Sequence, residues 1–375
     1  MSIRTLVVDD SVVVRRTVTA VLEASGCVDV VGTARDGRVG IEQIERLNPD
    51  VVTLDVEMPD MDGLLTLAVI RERWPLLPVI MYSALTATGA ETTLTALSLG
   101  AVDYATKPTE ALSRTAACQQ VHDTLVPLIK LWGGRHASAR DSGSAPPVSS
   151  VPVPPVPTHP VSRAVVVPPV RGSSRSVVQL VVVGVSTGGP DALARILPML
   201  PADLGVPVVM VQHMPPIFTT MFAKRLNGIS AIPVSEVTEQ TELAAGRIYL
   251  AAGGRHLRVT ATPAGRMLVP DDGPPENSCR PAVDVLFRSA AATVGANLLA
   301  VVLTGMGQDG LIGAEHVTRA GGSVLAQDEQ SSVVWGMPGF VARAGLARAV
   351  LPLDEIPQAI AAAVQAPVRS TVGTR

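Results

Sequence analysis

Short apolar runs alternate with longer amphipathic segments along the first third of the chain. The runs are rich in β-branched residues and have the length of buried strands. They lie at 5–8, 28–33, 51–54, 79–81 and 101–105. Each is followed by a segment of helical length, and these segments lie at 12–24, 38–47, 64–74, 88–99 and 109–132. The five strand–helix repeats predict an α/β domain, a parallel sheet with helices on both faces.

The alternation returns in the carboxy-terminal half, from about residue 177. The strands predicted there lie at 179–185, 206–212, 247–251, 298–303 and 323–325. The predicted helices lie at 191–199, 218–226, 282–294, 311–320 and 353–364. This pattern predicts a second α/β domain, built on a doubly wound parallel sheet whose strands end at one common edge.

The segment between the two patterns, 133–176, consists mainly of glycine, serine, valine and proline. Nine prolines fall between Pro146 and Pro169. Proline removes a backbone donor and fixes φ, so neither a helix nor the interior of a sheet is expected there. We therefore predict a first domain at 1–132, an extended linker at 133–176, a second domain at 177–367 and a flexible tail at 368–375.

Composition narrows the class of protein. With 375 residues, 47% of them hydrophobic, the chain can bury two cores. A net charge of -3 provides no electrostatic surface for nucleic acid, and three scattered cysteines support neither disulfides nor a zinc site. Asp9 and Asp10 interrupt the first apolar run, which excludes a signal peptide. No stretch approaches the ~18 apolar residues of a membrane span, so a cytoplasmic protein without membrane insertion is expected.

Acidic side chains follow two strands of the first predicted sheet. Asp9 and Asp10 end the first strand and Asp55 ends the third, and such strand ends meet at one edge. Three carboxylates together repel each other unless a hard cation neutralises them, and Mg²⁺ is the expected cation. Ser83 ends the fourth strand and Lys107 follows the fifth, and this hydroxyl and ammonium suit a phosphoryl group. The alternative, solvated acids in loops, does not explain five suitable residue types at strand ends.

Short motifs in the first domain occur together, and they are Asp9-Asp10, LDVEMP (54–59), MDG (61–63) and TKP (106–108). Together they resemble the receiver domain of two-component response regulators. The resemblance implies that Asp55 accepts a phosphoryl group and that Tyr104 takes the place of an aromatic switch residue. The Mg²⁺ ligands it implies are Asp10, Asp55 and the carbonyl of Glu57, with Asp9 assisting through water. It also implies that the side chains of Ser83 and Lys107 contact the phosphate.

A serine on a glycine turn opens the second domain. Ser186 lies in GVSTGG (184–189), directly after an apolar run, and its spacing matches the Gly-x-Ser-x-Gly pattern of a nucleophile elbow. Such a strand–turn–helix junction holds the hydroxyl outward and offers free backbone N–H groups to an anion. The alternative is a turn whose serine merely caps the next helix.

A serine hydroxyl needs a base, and the base needs a group that orients it. His213 follows the second strand of this domain and reaches the same edge as Ser186, so it is the preferred base. His256 is the second choice or a residue of the substrate site, and a structural role is the alternative for His213. Asp309 follows a later strand in a glycine-rich turn and is the candidate orienting acid, with helix capping as the alternative. The chain order Ser, His, Asp differs from that of α/β-hydrolases, which indicates a convergent hydrolase fold.

Longer motifs surround these three residues. They are GVSTGG (184–189), QHMP (212–215), FT (218–219), FAKRL (222–226), RPAVDVLF (280–287), LTGMGQDG (303–310), AQDE (326–329) and SSVVWGMP (331–338). Together they resemble the CheB family of chemotaxis response regulators, which act as protein-glutamate methylesterases. The resemblance implies Ser186 as nucleophile, His213 as general base and Asp309 as the orienting acid. The backbone around Thr187 and Met306 would form the oxyanion site.

The family implies a reaction and its partners. We expect hydrolysis of glutamate γ-methyl esters on methyl-accepting chemotaxis receptors, with release of methanol, and deamidation of certain receptor glutamines. A chemotaxis histidine kinase would supply the phosphoryl group, Mg²⁺ would serve the receiver domain, and hydrolysis would need no cofactor. The resemblance also implies that the unphosphorylated receiver domain covers the sheet edge that carries Ser186, and that phosphorylation of Asp55 uncovers this edge. The alternative is a non-catalytic response-regulator scaffold that binds receptors or another signalling array.

Overall fold

The residues that the computed structural model describes are 2–109, 113–142, 177–263 and 265–365. The chain divides into two compact units, Met1–His159 and Pro160–Arg375. Most of the predicted linker, 143–176, and the predicted tail, 368–375, lie outside the described residues.

The first unit contains a parallel five-stranded sheet. Its strands are β1 (Ile3–Val8), β2 (Val28–Ala34), β3 (Val51–Asp55), β4 (Val79–Ser83) and β5 (Asp103–Thr106). Its helices are α1 (Val12–Ala24), α2 (Gly37–Leu47), α3 (Gly63–Arg73), α4 (Ala87–Ser98) and α5 (Arg114–Ser142). The strand order is β2-β1-β3-β4-β5, and every neighbouring pair is parallel. The predicted strand–helix repeats of this unit are confirmed.

Local sequence explains why the helices begin just beyond the carboxyl ends of the strands. The side chains of Ser11, Asp36, Asp62 and Thr86 each accept a backbone N–H in the first turn of α1, α2, α3 and α4, respectively. A Cβ on Gly63, the first residue of α3, would clash with the backbone carbonyl of Asp55. Glycine there lets α3 begin directly against the end of β3.

The structure differs from the predicted boundary of the first domain. Helix α5 continues to Ser142, so the predicted start of the linker at Gly133 falls inside a helix. A Cβ on Gly133 would clash with Ile3 Cγ2 and would lie 3.2 Å from Val51 Cγ1. Glycine at this position therefore permits close packing of α5 against β1 and β3. The sequence had predicted the end of the helix there.

The second unit contains a seven-stranded parallel sheet and a separate three-stranded antiparallel sheet. The strands of the large sheet are β6 (Leu180–Val185), β7 (Val208–Gln212), β8 (Val234–Val237), β10 (Ile248–Ala251), β13 (Leu298–Val302), β14 (Ser323–Gln327) and β15 (Ala349–Leu351). The small sheet consists of β9 (Thr241–Glu242), β11 (His256–Thr262) and β12 (Gly265–Asp271). The order in the large sheet is β15-β14-β13-β6-β7-β10-β8. The predicted doubly wound parallel sheet is confirmed.

Helices cover the large sheet, and they are α6 (Gly189–Ile196), α7 (Pro216–Ile229), α8 (Val283–Val294), α9 (Leu311–Arg319), α10 (Met337–Arg343) and α11 (Ile356–Gln365). Strands β13, β6 and β7 lie side by side at its centre, so the loops after them share one edge. Across the part of the chain that the structure describes, no helix has both the length and the apolar character needed to cross a membrane.

Candidate functional site

Three carboxylates meet at the carboxyl edge of the first sheet. Asp9 follows β1 and Asp55 ends β3, and these two strands are neighbours. One oxygen from each of Asp9, Asp10 and Asp55 lies within 4.8 Å of the others. Asp9 and Asp55 are buried, whereas Asp10 is exposed. We call these three residues the carboxylate cluster.

The Lys107 ammonium lies between two members of the carboxylate cluster. Its Nζ is 2.8 Å from Asp9 Oδ2 and 2.7 Å from Asp55 Oδ2. The backbone N–H of Lys107 donates to the Ser83 carbonyl at 2.8 Å, which fixes the loop after β5 beside the end of β4. The side chain of Lys107 therefore offsets part of the negative charge of the cluster.

Burial dominates the electrostatics of the carboxylate cluster. It raises the pKa of Asp55 to about 6, assisted by the charge of Asp9 and opposed by Lys107. Burial also raises the pKa of Asp9, against the hydrogen bond to Lys107. For Lys107, burial alone would lower the pKa, but the two carboxylates raise it overall. One ammonium does not balance three carboxylates, so a further cation is favoured here.

The donor set of the carboxylate cluster fits a hard divalent cation, because carboxylate oxygens are the ligands that Mg²⁺ prefers. The Glu57 N–H lies 3.4 Å from Asp55 Oδ1, so the turn that carries the predicted carbonyl ligand folds back towards Asp55. Ser83 is buried at the end of β4, with its hydroxyl 3.3 Å from the Ala84 carbonyl. Tyr104 is partly buried on β5, the strand next to β4.

Ser186 lies in the tight turn between β6 and α6. Its N–H donates to the Thr304 carbonyl at 3.0 Å, and its own carbonyl accepts the Gly189 N–H at 2.8 Å. Gly188 has a φ of +76°, and a Cβ on it would clash with Val333. Within the described residues, the Ser186 hydroxyl has no hydrogen-bond partner. The turn therefore presents a free hydroxyl at the edge of the sheet.

Gln212, at the end of β7, joins the Ser186 turn to His213. Its buried amide donates from Nε2 to the Ser186 carbonyl at 3.0 Å and to the His213 carbonyl at 3.2 Å. The His213 N–H donates to the Val185 carbonyl at 3.2 Å. Gln212 was not among the site residues predicted from the sequence, although a glutamine at the end of an otherwise apolar strand can be recognised there.

His213 and Asp309 form a close pair. His213 Nε2 lies 2.8 Å from Asp309 Oδ2, and both side chains are largely buried. Asp309 Oδ2 also accepts the Val283 N–H at 2.7 Å, while Oδ1 accepts the Asp284 N–H at 3.0 Å. The start of α8 therefore fixes the carboxylate that faces the imidazole.

Cys279 occupies the other side of the imidazole. Its Sγ lies 3.5 Å from His213 Nδ1, the nitrogen that Asp309 does not bind. Cys279 is partly buried and belongs to the loop before α8. The contact between Cys279 and His213 could not be predicted from the sequence, because the two residues are 66 positions apart and no pattern in the chain links them.

The pKa values of both His213 and Asp309 are shifted from their ordinary values. Burial would lower the pKa of His213, but hydrogen bonds to Asp309 and Cys279 outweigh it and raise the pKa to about 9. For Asp309, burial alone would raise the pKa, but the hydrogen bond and charge of His213 lower it overall. At neutral pH the free protein therefore favours an imidazolium beside a carboxylate. A base of this kind gains activity as the pH rises.

Two backbone N–H groups near Ser186 are available to an anion. Among the described residues, neither the N–H of Thr187 nor that of Met306 has a hydrogen-bond acceptor. The loop that carries Met306 lies against the serine, since a Cβ on Gly305 would be 2.9 Å from Ser186 Cβ. Preorganised donors of this kind stabilise the oxyanion of a tetrahedral intermediate.

His256, the second choice for the base, is placed elsewhere. Its Nδ1 accepts the Ala282 N–H at 3.1 Å, and its Nε2 donates to the Pro274 carbonyl at 2.9 Å. The side chain is buried, and both of its nitrogens are used by the backbone. His256 thus stabilises the loop between β12 and α8.

Comparisons with known proteins cover both units. The family model of the response regulator receiver domain matches residues 5–117, and the CheB methylesterase model matches residues 181–360. A protein from Nocardioides sp., named protein-glutamate methylesterase/protein-glutamine glutaminase, is 48% identical over 354 residues, covering 94% of this chain and 93% of that protein. A protein of the same name from Trichodesmium erythraeum is 44% identical over 361 residues, covering 95% of this chain and 97% of its own length.

A solved structure matches the second unit. The CheB methylesterase catalytic domain of Thermotoga maritima is 41% identical to the matched part of the chain. It covers 50% of this chain and 98% of that one, with a TM-score of 0.48.

Proposed function

The chain belongs to the family of protein-glutamate methylesterases/protein-glutamine glutaminases, and on that basis we propose that it demethylates chemotaxis receptors under the control of phosphorylation. The substrates are glutamate γ-methyl esters on the cytoplasmic part of methyl-accepting receptors. The same acyl transfer applied to a receptor glutamine releases ammonia instead of methanol. The observation that carries the proposal is the His213–Asp309 contact of 2.8 Å at the sheet edge where Ser186 presents its hydroxyl.

The proposed reaction begins at the Ser186 hydroxyl. Because Asp309 holds Nε2 of His213, Nδ1 is the nitrogen that takes the proton as the Ser186 oxygen attacks the ester carbonyl. The N–H groups of Thr187 and Met306 stabilise the negative charge that forms on the carbonyl oxygen. His213 then returns the proton to the leaving methoxide, and methanol departs from the acyl-enzyme.

Water completes the cycle. His213 takes a proton from a water molecule, whose oxygen attacks the acyl-serine, and then returns that proton to the departing Ser186 oxygen. The products are free Ser186 and the glutamate carboxylate, whose proton goes to solvent. Every bond made in this cycle involves side chains, backbone groups and water, so hydrolysis calls for no cofactor of its own.

Asp55 supplies the regulation in this proposal. A histidine kinase of the chemotaxis system donates a phosphoryl group to the Asp55 carboxylate. Asp10, Asp55 and the Glu57 carbonyl, with Asp9 assisting through water, would hold Mg²⁺, which would supply positive charge to neutralise the phosphoryl oxygens. Ser83 and Lys107 contact the new phosphate, which carries about -1.5 to -2 charges and can draw a hydroxyl and a loop towards it. In this proposal, the change ends the inhibition of Ser186 by the receiver domain.

Release of methanol tests the proposal against the scaffold alternative. Purified full-length protein is incubated with receptors carrying labelled methyl esters, with Mg²⁺ and with or without a small phosphodonor such as acetyl phosphate. We expect labelled methanol to be released, and released faster with the phosphodonor. A protein that binds the receptors but releases no methanol under either condition would be a scaffold.

A further inference from the structure

Two buried carboxylates lie side by side behind the imidazole. Asp284 is 1% exposed and Asp309 is 2% exposed. The Gly310 N–H lies 3.0 Å from an oxygen of each of them, which shows how close the two groups are. Burial and the neighbouring Asp309 raise the pKa of Asp284. Like charges at this separation destabilise each other unless donors are directed at both.

Backbone N–H groups supply most of these donors. Asp284 Oδ1 accepts the N–H groups of Gly310 and Gly313, at 3.0 and 2.6 Å. Asp309 accepts the N–H groups of Val283, Asp284 and Gly310, in addition to His213 Nε2. Each backbone donor is fixed by the main chain, and only a substitution by proline would remove one.

Asn277 provides the side-chain donor that both carboxylates share. Its Nδ2 lies 2.9 Å from Asp284 Oδ2 and 3.0 Å from Asp309 Oδ1. The two hydrogens of one amide can therefore bridge the two acids. The Asn277 amide donates to Oδ1 of Asp309, whereas His213 contacts the other oxygen, Oδ2.

The loop before α8 holds Asn277 in this position. Glu276 and Cys279 exchange backbone hydrogen bonds of 3.1 and 2.8 Å, which close the turn around Asn277. The Glu276 carboxylate is anchored to Arg288 of α8 at 2.6 Å. Asn277 has a φ of +51°, a left-handed conformation that asparagine tolerates better than most residues. Asn277 is itself exposed, and this turn directs its amide towards the two carboxylates.

We propose that Asn277 is a positioning residue for the esterase reaction, acting through Asp309. This inference rests on the proposed function of Ser186, His213 and Asp309. The Asn277 amide separates the two buried charges and keeps the plane of the Asp309 carboxylate aligned with the His213 ring. Without it, repulsion from Asp284 rotates Asp309 or favours its protonation, and either change releases the imidazole from its orientation.

The test compares Asn277→Gly with Ser278→Gly. Ser278 is the next residue, also has a positive φ, of +61°, and is exposed, and its side chain makes no hydrogen bond within the described residues. Glycine adopts both conformations easily, so the two variants loosen the same turn equally and differ in the loss of the bridging amide. Kinetics are measured with the full-length protein and methyl-labelled receptors, and unfolding is followed by urea titration.

We expect Asn277→Gly to lower kcat by about ten- to a hundredfold, because small misplacements of catalytic groups have effects of that order. KM should stay within about twofold, because the Asn277 amide acts on the carboxylates of Asp284 and Asp309. Ser278→Gly should retain the kcat of the unaltered protein. Equal kcat values for the two variants would overturn the inference, as would a loss confined to KM.

A second variant covers the case in which Asn277→Gly does not fold. Asn277→Asp keeps the shape and tolerates the same φ, but it replaces the donor with a third carboxylate, so a larger fall in kcat is expected than in Ser278→Asp. If the unaltered protein itself releases no methanol, the proposed function fails. If it is active while all the Asn277 variants retain its kcat, only the role of Asn277 fails.

Discussion

His213 binds Asp309 through Nε2, at 2.8 Å, so its other nitrogen, Nδ1, is left facing Cys279 at 3.5 Å. The nitrogen that takes the serine proton in the proposed reaction is therefore in contact with a thiol in this structure. The contact with Cys279 is also one of the causes that raise the pKa of His213 to about 9.

Removal of this thiol should change the pH dependence of the reaction. In Cys279→Ala the pKa of His213 falls, because one of the groups that raise it is gone. The base is then neutral at lower pH, and the acidic limb of the kcat/KM profile moves to lower pH. The measurement is kcat/KM for methanol release between pH 5.5 and pH 10. Cys118→Ala, in the first unit, is the control, and identical profiles for the two variants would contradict the prediction.

The contact between His213 and Asp309 should make the free energy of unfolding depend on pH. The pKa of His213 is about 9 in the folded protein and about 6.5 in an unfolded chain. Its stabilising contribution is complete below about pH 6.5 and is lost as the pH rises towards 9, a change of up to about 3 kcal/mol in the free energy of unfolding. Asp309→Asn removes the charge that faces the imidazole, so this fall should be much smaller.

Urea denaturation of the unaltered protein and of Asp309→Asn at a series of pH values measures the difference. Because Asp309 has a lowered pKa in the folded state, the unaltered protein should also lose stability as the pH falls below about 4. Parallel curves for the two proteins from pH 6.5 to pH 9 would show that the contact does not control the protonation of His213.

Lys107 should be important for the stability of the first unit. Its ammonium contacts two buried carboxylates, and removal of one partner of a buried ion pair costs about 3 kcal/mol. Lys107→Met is therefore expected to lower the free energy of unfolding by about that amount at pH 7, and Mg²⁺ should recover part of it by binding the folded state.

The control is Lys130→Met. Lys130 is exposed on α5, and its replacement should change the free energy of unfolding by no more than about 0.5 kcal/mol. Urea titrations with and without Mg²⁺ give both values. Equal effects of the two substitutions would mean that the Lys107 contacts do not contribute to stability.

Much of this arrangement could be predicted from the sequence. The apolar runs identified all five strands of the first sheet and five of the seven strands of the large sheet, because a buried parallel strand is apolar on both faces. The two edge strands β8 and β15 were not predicted. Once the strands were known, Asp9, Asp55, Ser186 and His213 followed at their carboxyl ends. Their convergence is a consequence of topology, which the strand–helix alternation specifies.

Other parts could not be predicted, for physical reasons that differ between them. Strand β11 alternates apolar and polar residues and has no continuous apolar run, so the apolar runs that predicted the parallel strands did not reveal it. Gly133 is a packing residue inside α5, and only the positions of Ile3 and Val51 reveal that. The contacts of Asn277 and Cys279 depend on how a loop folds back over the edge of the sheet, and residue spacing carries no information about this.

Asp55 should be required for stimulation but not for basal activity. In Asp55→Asn the acceptor carboxylate is gone while the second unit is unaltered. We expect methanol release without phosphodonor to be retained, and the increase caused by acetyl phosphate and Mg²⁺ to disappear. Asp29→Asn, on β2, is the control, because Asp29 lies outside the carboxylate cluster. Full stimulation of Asp55→Asn would place the regulatory phosphorylation elsewhere.

The central claim is that Ser186 is the nucleophile of a methylesterase. Methanol release from methyl-labelled receptors by Ser186→Ala tests it most directly, with Ser235→Ala, an exposed serine of β8, as the matched control. We predict that Ser186→Ala loses at least about a thousandfold in kcat while its urea unfolding curve is unchanged, and that Ser235→Ala keeps full activity. Methanol release by Ser186→Ala at the rate of the unaltered protein would contradict this account.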